Sequence, residues 1–426
     1  MSLMDAMFSG VSGLDAESDA LSVIGNNVSN QNTVGFKESR AIFETVMGSA
    51  AGSASIGGGV AMSSTQQIFT QGSMETTGNP TDVALSGDGF FVVQGAVGGT
   101  TGNFYTRAGQ SSLNSSGVLV NPDGLAFQGY MMQPGGTMST ELGPITVPSS
   151  GLQPQPTANM TISANLDANA TPPAAAWDPT NPATTSNFST SMNVYDSLGN
   201  AHEVQVYFAN TAPGQWTYHE VANGSEVTGG TPGQNDEIGN GTLQFNPNGS
   251  LETVTPNPNP VTFNGANPQN ININFGSQTS TGGSGLDGTT DYGSTSVVTS
   301  QSQDGYASGA LSGVQIGSDG TVSGVYSNGQ TLAIGQLAVA KFVNDGGLSS
   351  QGQNVWSSTL QSGVAALGAA GTGGRGSISS GTLEQSNVDI SQQFVDLIAH
   401  QQGFQANSKT IQTADQMLTS LLQIVQ

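Results

Sequence analysis

Cysteine is absent from the 426-residue chain, and basic residues are nearly so. Without cysteine there is no disulfide framework and no thiolate chemistry. Only Lys37, Arg40, Arg107, Lys341, Arg375 and Lys409 are basic against 29 acids, and none lies between Ala108 and Ala340. Nucleic-acid binding needs cations that displace phosphate counterions, so it is excluded. Attraction to an anionic membrane surface fails for the same reason. No segment approaches the ~18 consecutive apolar residues of a spanning helix, so no membrane insertion is expected. The N-terminus MSLMDAMFSG carries Asp5 and no basic n-region, and does not read as a cleavable signal peptide.

What is present is glycine, 60 residues of it, with a surface that must consist mostly of Ser, Thr, Asn and Gln. Glycine loses more backbone entropy on folding than other residues, so the core is modest. A polar, lysine-poor surface suits an extracellular protein. Combined with the missing signal, it implies another export route.

The two ends read as helical and the middle as β. From Met4, three-four spacing gives Met4, Met7, Val11, Leu14, Ser18, Leu21, Gly25 and Val28, with Ser2 and Asp5 in capping-box form. At the other end Ile390, Leu397, Phe404, Ile411, Leu418 and Val425 repeat every seventh residue. Phe394 and Leu422 hold the apolar extremes of the intervening seam, Gln401, Ser408 and Asp415 its polar centre, and Asp389 with Gln392 forms a cap. A heptad stripe demands a helical partner. MGSAAGSASIGGG (47–59) and GAAGTGGRG (368–376) read as flexible connectors, so the ends are expected to order against each other and against neighbouring copies.

Between the connectors, short strands alternate with Asp-Gly, Asn-Gly and Ser-Gly turns, as in GDGFFVVQG, YDSLGNAHEVQVYFA, FNPNGSLETV and GSDGTVSGVYSNGQTLAIG. Pro-rich 144–182 and Gly-rich 276–293 bracket a central unit entered and left through loops. The expectation is a mainly β, nested multi-domain chain with α-helical termini. Residues 1–30 and 386–426 pair in a coiled-coil-like inner domain. Residues 31–70 and 361–385 are flexible connector. A middle β domain spans 71–146 with 290–360, and an outer β domain spans 147–289.

No catalytic constellation emerges. His202-Glu203 and His219-Glu220 sit in strand-like segments without a third spaced metal ligand. Asp236-Glu237 reads as a solvated turn, and GGSGLDGTT (282–290) as a loop resembling one isolated calcium repeat. No cofactor or metal is expected. The remaining signal is the termini, above all VIGNNVSNQNTVGFK, where Asn26, Asn27, Asn30 and Asn32 crowd the end of a helix. Asn is poor inside a helix because its amide competes for backbone hydrogen bonds. The expected partners are neighbouring subunits, with Phe36 beside them.

At SVIGNNVSNQNTVGFKESR the chain resembles the bacterial flagellar rod and hook axial proteins. ALSGDGFFVV, YTRAGQSSLNSSGVLVNPDGLAFQGY and the C-terminal SGTLEQSNVDISQQFVDLIAHQQGFQANSKTIQTADQMLTSLLQI resemble further shared blocks of that family. FSTSMNVYDSLGNAHEVQVYFA, followed by Trp216, resembles the outer domain of the hook branch. Departures are Gln402, where the family has a basic residue, and Gly403 and Phe404, where it commonly has Ala and Tyr.

The resemblance implies a non-enzymatic subunit exported unfolded through the flagellar type III apparatus. It also implies polymerisation beneath a cap protein into a tube between the rod and the hook–filament junction proteins. Terminal helices would line the export channel, and the tube would bend as a universal joint. A distal rod component, a surface-layer or adhesin-like protein, and a secreted carbohydrate-active enzyme are the alternatives. Three Trp and dispersed acids give the last little support.

Overall fold

The computed structural model describes residues 3–47, 50–51, 54–55, 58–133, 136–148 and 150–425. Helix α1 spans Leu3–Ser29 and helix α2 spans Ile390–Val425, with β structure between them. The expected cap at Ser2 lies outside the described residues. At α2, Asp389 Oδ1 accepts from the backbone N–H of Ser391 (2.8 Å) and Gln392 (3.3 Å), a side-chain cap on otherwise unpaired amides.

The chain forms two compact units. One comprises Met1–Ser149, Gly313–Val325 and Thr331–Gln426; the other comprises Ser150–Ser312 with Tyr326–Gln330. The mainly β, multi-domain expectation with helices at both ends holds.

In the first unit a 13-stranded sheet is centred on Phe90–Val97, which pairs antiparallel with Thr100–Thr106. Gly98 and Gly99, both at positive φ, make the two-residue turn whose twist matches the strands. One apolar cluster is aromatic: Phe69 and Trp356 pack edge-to-face at 5.4 Å, and Phe90 and Phe342 at 5.9 Å.

The second unit is built on five antiparallel strands in chain order: Phe188–Tyr195, Ala201–Ala212, Gln215–Asn223, Asn235–Phe245 and Leu251–Pro258. They share a core with Asn159–Asp167 and its neighbours, around Trp216, Phe208, Phe263 and Phe275. Thr290–Tyr292 and Val297–Gln303 both pair with Asn159–Asp167. These strands belong to this unit rather than to the middle domain expected to resume at 290.

Three readings are corrected. The stretch expected as connector from 31 to 70 contains an antiparallel hairpin, Ser39–Thr45 with Val60–Gln67. Likewise Ser377–Ser380 pairs with Val83–Ser86, and Thr382–Glu384 with Met74–Thr76. Around GAAGTGGRG, the Arg375 guanidinium ties the segment down by donating from Nε to Ala369 O (3.0 Å) and from Nη2 to Thr372 Oγ1 (2.8 Å). The strands at 377–384 read as loose because their partners lie far away in sequence, whereas the hairpin and the Arg375 contacts are local and were masked by the Gly- and Ser-rich composition. Asp236 and Glu237 are in a strand, not a turn. Glu237 accepts from Trp177 Nε1 (3.3 Å) and meets His219 Nδ1 at 2.7 Å, while the Trp177 ring stacks on His219.

Candidate assembly site at the paired termini

The helices run antiparallel, as the partners Gly10–Ile411, Gly13–Asn407, Glu17–His400 and Asn27–Gln393 show. The buried face of α1 is not the one anticipated. Gly10, Gly13, Ala16, Ala20, Ile24 and Asn27 are buried, again at three-four spacing but rotated from the larger apolar residues. A Cβ at Gly10 would lie 2.9 Å from Ile411 Cγ1, and one at Gly13 2.6 Å from Asn407 Nδ2. The notch is reciprocated in α2, where a Cβ at Gly403 would meet Glu17 Oε1 at 2.5 Å. The same Glu17 holds His400 Nδ1 at 2.6 Å through its other oxygen. Small residues thus let the backbones approach closely. Gly403 is the space that seats Glu17.

Apart from Ile24 and Ile411, the larger apolar residues are therefore incompletely covered by the pair. Met7, Leu14, Leu21, Leu397, Ile411 and Leu418 are half-buried, whereas Val11 and Phe404 are exposed. Phe394 is 51% exposed and Phe8 66%, with Met4, Val395, Ile398 and Met417 similarly open. The side chain of Leu422 lies outside the described residues. The seven-residue stripe thus enters the seam at Ile411 but is not the seam along its length.

Asn26, Asn27 and Asn30 bond inside the chain. Buried Asn27 donates from Nδ2 to Ser39 O (2.8 Å) and Gln393 Oε1 (3.0 Å), and its Oδ1 accepts from Ser39 N–H (2.9 Å). Its amide ties both helices to the hairpin, contrary to an inter-subunit role. Asn30 donates to Asn26 O at 2.9 Å and accepts from Thr33 Oγ1 at 3.1 Å, closing the helix end. Asn26 and Asn32 are exposed. Asn26, Asn30 and Phe36 line a groove of ≈ 540 Å³ whose rim includes Gln353 and Asn354.

Beneath the helices lies a buried charge cluster that sequence reasoning missed. Lys37 Nζ meets Glu384 Oε1 at 2.6 Å and donates to Thr70 O at 2.7 Å. Arg107 Nη1 lies 3.4 Å from Glu384 Oε2, and Gly72 N–H donates to Oε1 at 2.9 Å. Burial pushes both the Lys37 ammonium and the Arg107 guanidinium below their ordinary range, and Glu384 opposes the shift in each. Two of the six basic residues are spent on one carboxylate, and that scarcity was the available signal. Gly35 completes the clasp. Its N–H donates to Glu384 O (2.7 Å), its φ is +68°, and a Cβ would lie 2.5 Å from Ala108 N, so only glycine fits. Asn387 donates to Ile68 O (2.9 Å) and accepts from Glu38 N–H (2.8 Å), binding the entry to α2 against the exit from α1.

Known families match along most of the chain. Residues 7–37 match the flagella basal body rod protein family, 84–165 the flagellar hook protein FlgE/F/G D1 domain, 165–306 the flagellar basal body protein FlaE D2 domain, and 379–424 the flagellar basal body rod FlgEFG C-terminal family. The flagellar hook protein FlgE of Salmonella typhimurium is 38% identical over 425 residues, covering 97% of this chain and 98% of that one. FlgE of Treponema pallidum is 35% identical over 471 residues, covering 99% and 100%. The crystal structure of Helicobacter pylori FlgE2 shares the fold, with a TM-score of 0.51 at 16% identity over 71% of this chain and 98% of that one. The chain belongs to the flagellar hook protein family.

Proposed function

We propose that this chain is the repeating subunit of a bent, hollow hook polymer, a structural part with no catalytic role. One observation carries the reading: α1 and α2 pair through glycine notches and leave Met4, Phe8, Val11, Phe394, Val395 and Ile398 exposed along their outer faces. Burying about 1.5–3 kcal/mol worth of each such side chain per contact is a strong drive to associate. The occupants of those faces are the terminal helices of neighbouring copies, packed around a central export channel.

In this reading the polymer is extracellular and acts as a universal joint between rod and filament. Its subunits leave the cell through the flagellar type III apparatus and add beneath a cap protein, with rod and hook–filament junction proteins at the two ends. A cysteine-free chain with a modest core suits export in an unfolded state. Negative-stain electron microscopy of the concentrated full chain tests the reading. Curved hollow tubes support a hook; straight tubes indicate a rod component; persistent monomers, even after seeding with sheared hooks, overturn polymerisation.

A further inference from the structure

A second apolar surface lies away from the helices. Val343, Leu360 and Val364 are 95%, 103% and 90% exposed. They are not on loose chain. Thr359 Oγ1 donates to Gly347 O (2.6 Å), Ser362 Oγ to Thr359 O (3.0 Å) and Asn344 Nδ2 to Gln361 O (3.2 Å), and Ser362 itself is completely buried. The short ladder below pairs Lys341 with Ala366. Beyond that ladder the two segments stay together: Asn344 N–H donates to Ser362 O (3.4 Å), and a Cβ at Gly363 would lie 4.0 Å from Val343 Cβ, which places Val343 beside Val364. The strand Ala366–Gly368 pairs, among the described residues, with Val339–Lys341 alone, leaving its other backbone edge open.

The charge beside this patch is unusual for the chain. Lys37 and Arg107 are buried, which leaves four basic residues, and two of them stand here. Lys341 Nζ donates to Gly374 O (2.8 Å) beside Asp88 (3.2 Å), and the Arg375 guanidinium lies against Gly368. Three aliphatic side chains facing outward next to a rare basic pair complement a surface that is acidic and carries exposed apolar side chains of its own. That describes this chain, whose net charge is -23.

We propose that the Val343/Leu360/Val364 face is a contact site for a second copy of this chain, separate from the terminal helices and using Lys341 and Arg375 against the partner's acids. The inference rests on the polymer reading above. Because the contact joins this face to a different surface on the next copy, it is heterologous and propagates into an open helix rather than closing a dimer.

The test uses the full chain and the variant Leu360→Ser/Val364→Ser. Both side chains are exposed, so monomer melting stays within the range of a neutral surface change. The critical concentration for sedimentable polymer, seeded with sheared wild-type polymer, rises about tenfold or more through the lost apolar contacts. Since the chain lacks cysteine, Val364→Cys takes a single environment-sensitive dye, whose emission shifts to the blue on assembly. Wild-type assembly with an equally competent double variant, or with an unshifted dye, overturns this contact and leaves the polymer reading standing. Failure of the seeded wild type to assemble overturns the polymer reading and this inference with it.

Discussion

Gly13 of α1 faces Asn407 of α2 so closely that a Cβ on the glycine would come within 2.6 Å of the amide nitrogen. Three turns of the same seam use this device, at Gly10 with Ile411, Gly13 with Asn407 and Gly403 with Glu17. Helix propensity alone says that Ala should improve each position by about 1 kcal/mol. The packing says otherwise. Gly10→Ala/Gly13→Ala is expected to lose roughly 1–3 kcal/mol through overpacking. Far-UV circular dichroism during thermal melting checks this, and a gain in stability would show that the helices part freely.

Asn27 should matter to the isolated subunit. Asn27→Ala leaves the half-buried Ser39 backbone groups and the buried Gln393 amide short of partners, at a total cost of about 1–3 kcal/mol. Asn30→Ala removes bonds within one exposed turn and costs under ~1 kcal/mol. Urea unfolding of the two monomers separates these effects.

Glu384 is the centre of the clasp between the chain ends. Glu384→Gln leaves Lys37 and Arg107 buried without a carboxylate, and an uncompensated buried charge costs about 3–5 kcal/mol. Limited proteolysis should then cut near Lys37 and Gly72 faster than in the wild type. Equal resistance would mean that the backbone ladder suffices without the ion cluster.

In the second unit, burial of Glu220 raises its carboxyl from 4.5 to about 8. Between those values the folded unit binds a proton that the unfolded chain releases, so stability falls as pH rises through this window and levels off above it. Unfolding at pH 5 and pH 9 should differ by a few kcal/mol. Glu220→Gln should flatten the profile and stabilise the unit at pH 9. A stability that rises with pH in the wild type would contradict the burial argument.

The sequence carried the outline and missed the joints. Helical periodicity at both ends and Asp-Gly or Asn-Gly turns between strands are local signals, and the fold follows them. The glycine seam was hidden because bulky residues dominate any reading of an apolar face, while close approach selects the small ones. Connectors and clasp were hidden for a related reason. Glu384 meets Lys37 across 347 positions, and Asn387 meets Glu38 across 349. Nothing in GTLEQSN or in the Ser- and Gly-rich flanks announces which distant groups will saturate them.

Polymer contacts should also resist salt. Of the basic residues outside the core, Lys341 is held by Asp88 and Gly374, and Arg40 by Gln66. Most inter-subunit contact must then be apolar or hydrogen-bonded, with the proposed contacts of Lys341 and Arg375 a minor, screenable part of it. At 1 M salt, where the Debye length is about 3 Å, the sedimentable fraction should change little. Dissolution under those conditions would show that ion pairs, rather than apolar contacts, carry most of the assembly.

The most direct measurement is seeded sedimentation of the full chain beside Phe8→Ser/Phe394→Ser/Ile398→Ser, three exposed residues of the terminal helices that take no part in the glycine seam. Unchanged melting of the variant monomer with loss of its polymer is the predicted result. Polymer formation equal to wild type would show that the outer faces of the paired helices do not join the subunits.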